Sequence, residues 1–222
     1  MGLLVTADPA QRPHQLATAG QTIGVEASYL DAASRVISDL HRSLQLPAID
    51  IALHSIRETP FDFKVILASA IEEIESSRSD QDLFRWMLRR VMLRHLEDQN
   101  DDGSAVHDRE LHTATPEALT VLGIIAWFNS SGADQTQAAF DASLHTIGVP
   151  SSPVPPVENL TFERLDQALE VLSHLNRAGR ETFVSGATAA VLHDGKTTVE
   201  EAELVRVVAD AVRLPVPPLL PN

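Results

Sequence analysis

The chain has 222 residues, no cysteine and a formal net charge of −14. That charge argues against non-specific nucleic-acid binding, because phosphate is repelled over most of the surface, and the lack of cysteine excludes disulfides, a thiolate nucleophile and Cys-based zinc sites. Aromatic residues make up 5% against 44% hydrophobic overall, so the core must be built from Leu, Val, Ile and Ala, which favours packed helices over a β-sandwich.

Read from its start, the chain has no charged segment followed by a long apolar one, so no signal peptide is expected. Gly2-Leu3-Leu4-Val5 reads as the end of a helix begun upstream, so the chain is expected to be part of a longer one. Asp8-Pro9, Thr59-Pro60 and Thr115-Pro116 each set an oxygen-bearing cap before a proline at the first helical position. Leu46-Pro47 and Ser79 with Asp82 are weaker versions of the same signal. Together with apolar periodicity they predict helices near 9–19, 26–45, 47–57, 60–76, 80–97, 116–130, 134–147, 161–175, 179–193 and 198–213. Phe63, Leu67, Ala70, Ile71 and Ile74 share one face, as do Leu165, Ala168, Leu169, Leu172 and Leu175. In the last helix Glu203, Arg206, Asp210 and Arg213 form a polar stripe. The expectation is an all-α, multi-helix fold without a sheet, and no apolar run reaches the roughly 18 residues of a membrane span.

Two stretches interrupt the helical pattern: the polar loop 98–114 and the proline-rich 148–157, GVPSSPVPPV. The second is too short and too enclosed by helices to be a flexible tether, and reads as a rigid extended crossover. The organisation expected is an N-terminal helical segment, 1–58, followed by a helical region, 59–222. Residues 63–96 and 183–214 each run helix, polar turn, helix, which suggests an internal repeat.

Chemical motifs are sparse. Asp194-Gly195-Lys196-Thr197-Thr198-Val199-Glu200-Glu201 matches the last eight places of a calcium-binding EF-hand loop, but Ala190 and Leu192 would occupy the first and third ligand places. Calcium needs six to eight oxygens. The segment is better read as a left-handed turn at Gly195 and a capping box of Thr198 with Glu201. Asp98-Gln99-Asn100-Asp101-Asp102-Gly103 matches the acidic start of such a loop, yet the bidentate glutamate place holds Arg109. A solvated acidic loop is expected there, and no sub-micromolar calcium or zinc binding. The nine histidines are scattered and none precedes a glutamate, so the HExxH zinc helix is missing; His107 and His112 are spaced wrongly for one helical face. Nor does the chain contain a phosphate-binding glycine loop or a GxSxG nucleophile elbow. No catalytic residue, metal ligand or cofactor is assigned to this chain.

The helix LFRWMLRRVMLRHL, 83–96, is different. It carries Arg85, Arg89, Arg90 and Arg94 beside Trp86 within a strongly acidic chain. A basic, Trp-bearing amphipathic helix suits an acidic protein partner or an anionic lipid surface. Pairing of these arginines with Glu72, Glu73 and Glu75 is the competing structural reading.

The segment DGKTTVEEAELVRVVADAVRLPVPPLLP resembles the C-terminal region of bacterial membrane-bound zinc metallopeptidases, HtpX-like and related to the CAAX prenyl proteases. The resemblance lies in a D-G-x-[VT]-[ST]-x-x-E-A-E-L-x-R motif, here Asp194, Gly195, Thr198, Glu201, Ala202, Glu203, Leu204 and Arg206, followed by a P-P-L-L-P run at Pro217 to Pro221. It extends more weakly to 83–96 and 3–16. It implies a TerB-like helical fold, as in tellurite-resistance proteins, and a soluble domain on the cytoplasmic side of the inner membrane. In such peptidases the zinc helix and membrane segments precede this region, so proteolysis and zinc belong to that other part. The pattern also has an Asp-Gly and a later acid where this chain has Arg78-Ser79 and Arg85, so no acidic TerB-like metal site is carried over. The function implied is a non-catalytic regulatory or interaction module that binds the peptidase domain or a regulatory protein. The alternatives are a metal-binding TerB-like stress-response module and a hydrolase with an unrecognised carboxylate site.

Overall fold

The structure is a computed structural model and describes residues 3–56, 59–76, 82–97, 108–128 and 130–214. Ten α-helices follow in chain order: α1 Arg12–Ile23, α2 Ala27–Ser38, α3 Arg42–Ile56, α4 Phe61–Ser76, α5 Leu83–Glu97, α6 Thr115–Phe128, α7 Ala133–Thr146, α8 Phe162–Ser173, α9 Arg177–Leu192 and α10 Val199–Ala211. The described residues contain no strand, only an isolated bridge between Arg109 and Leu175. The fold is all-α. No helix among the described residues is long and apolar enough to cross a membrane.

The helices group into two compact units, 1–102 and 103–222. α4, which follows the expected boundary at 58/59, packs along α1 within the first unit. The divide falls within the polar stretch 98–114 instead. The helices expected at 26–45 and 47–57 are also redrawn. The break comes at 39–41, and α3 runs from Arg42 with Pro47 inside it. Pro47 is the sixth residue of α3 and lacks an N–H, so the carbonyl four residues earlier has no intrahelical donor there. Asp8 accepts from the backbone of Ala10 (2.9 Å) and from Arg12 (2.9 Å), but it caps a turn, and α1 begins later than Pro9.

In the first unit residues 3–5 form a turn, not the expected helix end. Leu4 and Val5 are buried in the core. A polar network fixes this entry. Gln15 accepts from the Thr6 amide at 2.8 Å and donates to the carbonyl of Ile74 at 3.5 Å. Arg12 donates from Nε and Nη2 to one carboxylate oxygen of Asp31 (2.9 and 2.7 Å), and also to Ser34 (3.0 Å) and the Thr6 carbonyl (3.2 Å). Arg35 takes the second Asp31 oxygen at 2.7 Å. One carboxylate thus ties α1 to α2. Their junction is tight: a Cβ at Gly20 would lie 2.5 Å from the Val25 carbonyl oxygen.

In the second unit α6 is buried almost all round, through Ala118, Val121, Leu122, Gly123, Ile124, Ile125 and Ala126. Such a helix must be enclosed, and α7, α8 and α9 all pack against it. The approach of α9 to α7 depends on Gly186, where a Cβ would meet Ile147 Cγ2 at 2.5 Å. The proline-rich stretch lies over α6 as an anchored strap. A Cβ at Gly123 would lie 3.1 Å from the Pro155 ring, and Trp127 donates to the Pro155 carbonyl at 3.1 Å. The Gln137 carboxamide donates to the Ser152 carbonyl (2.9 Å) and accepts from the Val154 amide (3.0 Å). At the far end of α10, the Leu214 amide bonds to the Ala209 carbonyl and the Arg213 amide to that of Asp210, both at 2.9 Å, with Arg213 in the left-handed region at φ 58°. This is a Schellman close with arginine in the usual glycine place. Arg180 of α9 then donates to the carbonyls of Val212 and Arg213, both at 3.3 Å.

The Asp31 clamp makes a pH prediction. The Arg12 hydrogen bonds, and then Arg35, hold the Asp31 carboxyl below its ordinary pKa, against the opposing effect of burial. The unfolded chain therefore takes up this proton first as pH falls. The stabilisation is complete above the unfolded pKa and is lost as pH drops below about 4 towards the folded value. Asp31→Asn is expected to destabilise the first unit at neutral pH and to flatten its acid limb in urea unfolding measured from pH 7 to pH 2. An unchanged acid limb in the variant contradicts this account.

Candidate functional site

The motif at 194–201 is a turn and a cap. Gly195 sits at φ 75°, the left-handed region that glycine enters without steric cost. Asp194 Oδ1 accepts from the Lys196 amide at 2.9 Å. Thr198 Oγ1 accepts from the Glu201 amide (3.2 Å), while Glu201 Oε2 accepts from the Thr198 amide (2.6 Å), a complete capping box. One oxygen of each of these three side chains thus accepts from a backbone amide. Glu203 pairs with Arg206 at 2.7 Å on α10, as the polar stripe predicts.

On α5 the structure separates residues that the sequence groups together. Trp86 is only 4% exposed and packs into the core of the first unit, so it is removed from the candidate contact surface. Spacing alone sets Trp86 beside Arg89 and Arg90, three and four residues on, yet it is buried like Met87 and Val91. Arg85, Arg89, Arg90 and Arg94 are partly exposed. Arg89 donates to Glu72 of α4 at 2.8 Å, one of the ion pairs of the structural reading. Glu73, by contrast, accepts from Thr22 of α1 at 2.7 Å.

The histidines have local roles. His95, His174 and His193 each set Nδ1 against a carbonyl three or four residues earlier: Val91 (2.8 Å), Glu170 (2.9 Å) and Ala190 (2.8 Å). His112 lies 3.1 Å from Glu110 on the surface. No group of three or more metal-ligating side chains is found among the described residues. The acidic stretch 98–103 and His107 lie outside the described residues.

Two open depressions lie on α8, of about 390 and 380 Å³. Asp108, Arg109, Glu170, Val171 and His174 line one. The other is walled by Pro116, Glu117, Thr120, Arg164, Gln167, Ala168 and Val171. Beside the first, Ser173 Oγ lies 3.3 Å from His174 Nδ1, and both groups also meet the Glu170 carbonyl, at 2.7 and 2.9 Å.

What the sequence reading missed is uncovered apolar surface. Nine of the twelve exposed large hydrophobic side chains among the described residues belong to the first unit. They are spaced by whole turns. Tyr29 and Val36 lie two turns apart on α2, Leu44 and Ile51 two turns apart on α3, and Phe61 and Val65 one turn apart on α4. Tyr29 and Ile51 are each 74% exposed. The signal lies in the sequence as apolar residues at whole-turn spacing, which on α4 run beside the buried face of Leu67, Ala70, Ile71 and Ile74. No family model, curated protein or solved structure matches this chain.

The capping box carries a test of its structural role. Thr198→Ala removes the acceptor for the Glu201 amide and is expected to cost about 1 kcal/mol, within the range of roughly 0.5–2 for such caps. Thr198→Ser keeps the oxygen and should retain most of the stability in chemical denaturation. Equal losses in the two variants would show that the threonine acts through its methyl group instead.

Proposed function

We propose that this chain is a non-catalytic helical interaction module, the region that follows a membrane-bound zinc peptidase part of HtpX-like type and binds that part or its regulator. The observation that carries the reading is the set of uncovered apolar pairs on α2, α3 and α4. Large side chains exposed at whole-turn spacing are the usual anchors of helix-mediated contacts. The motif resemblance at 194–206 supplies the identity of the partner. The partly exposed arginines of α5 suit an acidic rim on that partner, with long-range charge setting the approach. Burial of Trp86 removes the anchor that a lipid-surface reading relies on, so a protein partner is the better fit.

The test begins with the reading frame upstream of Met1. A membrane-embedded segment with an HExxH helix is expected there; a frame without one overturns the assignment. The peptidase part, produced separately in detergent, should bind this chain in sedimentation or calorimetric titration. Ile51→Asp together with Val65→Asp is expected to weaken binding at least tenfold while leaving helicity intact. Replacement of Arg89, Arg90 and Arg94 by Gln should chiefly slow association and weaken its salt dependence. Undiminished binding by the Ile51/Val65 variant refutes the role given to this face.

A further inference from the structure

The strap that crosses α6 and the segment after α10 share a sequence. Residues 153–157 read PVPPV and residues 215–219 read PVPPL, preceded by Ser152 and Leu214 respectively. The structure displays how the first copy is held. Gln137 reads the Ser152 carbonyl and the Val154 amide, Trp127 reads the Pro155 carbonyl, and Gly123 leaves room for the Pro155 ring. Every hydrogen bond in that set goes to the backbone, at positions the second copy reproduces. Leu214 and Pro217 supply the equivalent carbonyls and Val216 the equivalent amide, the one place in the motif where proline could not serve. An aromatic donor and a small gap for a ring are the means by which extended proline-rich segments are generally recognised.

We propose that the α6–α7 groove is a receptor for PVPP segments, and that residues 215–219 of a second copy of this chain are its exchangeable occupant. The donor is a second copy because the chain's own segment is too short. Arg180 fixes the exit of α10 at the start of α9, and Gly179 beside it lies against Leu111, ahead of α6. The groove lies further along, between Gly123 and Trp127; Trp127 is twelve residues beyond the start of α6, or about 18 Å at 1.5 Å per residue. Val216 is two residues past Leu214, a reach of at most about 7 Å. That reach is well short of the roughly 18 Å between the start of α6 and Trp127.

Exchange replaces one set of bonds by an equivalent set, so the resident strap is favoured mainly by its tether, an effective concentration in the millimolar range for a short connection. Self-association is therefore weak and driven by concentration. In the full chain labelled with ¹⁵N, a synthetic RLPVPPLLPN peptide added to about ten times that effective concentration should move the Val154 amide signal to its unstructured position. A spin label on the peptide should broaden the Trp127 indole signal. The same peptide with Val216→Pro lacks the amide proton and should do neither. In sedimentation at millimolar protein, the full chain should self-associate and a chain ending at Leu214 should not. A Val154 signal unmoved by the authentic peptide, or moved equally by the Val216→Pro peptide, overturns the receptor assignment. Equal self-association with and without residues 215–222 overturns the second-copy assignment.

Discussion

The second unit depends on one constraint: every residue of α6 from Val121 to Ala126 is buried, so that stretch needs cover on all sides. Three helices cover it, and the strap closes what they leave open. The covering elements come close because small residues stand at the contacts. Gly186 lets α9 lie on α7, and Gly123 lets the Pro155 ring rest on α6 itself. A chain with few aromatics cannot fill wide gaps between helices, so it narrows them. Dispersion contacts at short range then do what large rings do in other cores.

The first unit solves a different problem with charge. Its core is smaller, and its entry segment is fixed by polar groups that reach across elements: Gln15 to the Thr6 amide and the Ile74 carbonyl, Arg12 to Asp31 and Ser34. Its helices carry apolar side chains on their outer as well as inner faces. The two units thus differ in character, one closed over its own core and the other with hydrophobic surface left over. That contrast is the physical basis for proposing a contact surface on the first.

Much of this was legible in the sequence. The ten helices follow from caps and 3.6-residue periodicity, and the faces of α8, α9 and α10 are buried as the pattern requires. The turn and cap at 194–201 follow because Asp, Gly, Thr and Glu each have one favoured local geometry. Other features depend on partners distant in sequence and have no local signature. Lys64 reads as a solvated position yet is only 2% exposed on α4. Phe63 reads as core and is exposed at the edge of its face. The break at 39–41 lacks proline and glycine, whereas Pro47, the stronger local signal, lies within a helix. For the candidate site, spacing grouped Trp86 with the arginines, but burial divides them.

The grip of Arg180 on α10 has a consequence for how the second unit loosens. Helix ends ordinarily fray first, one residue at a time, since their last carbonyls have no partner within the helix. Here the carbonyls of the capping residue Val212 and of Arg213 just beyond it are held by a side chain rooted in the first turn of α9. The final turn of α10 can therefore open only when that guanidinium lets go, which joins its fluctuations to those of a neighbouring helix. Amide protons at the end of α10 should exchange with solvent on the slower, shared timescale of that pair and not on the fast timescale of a free terminus.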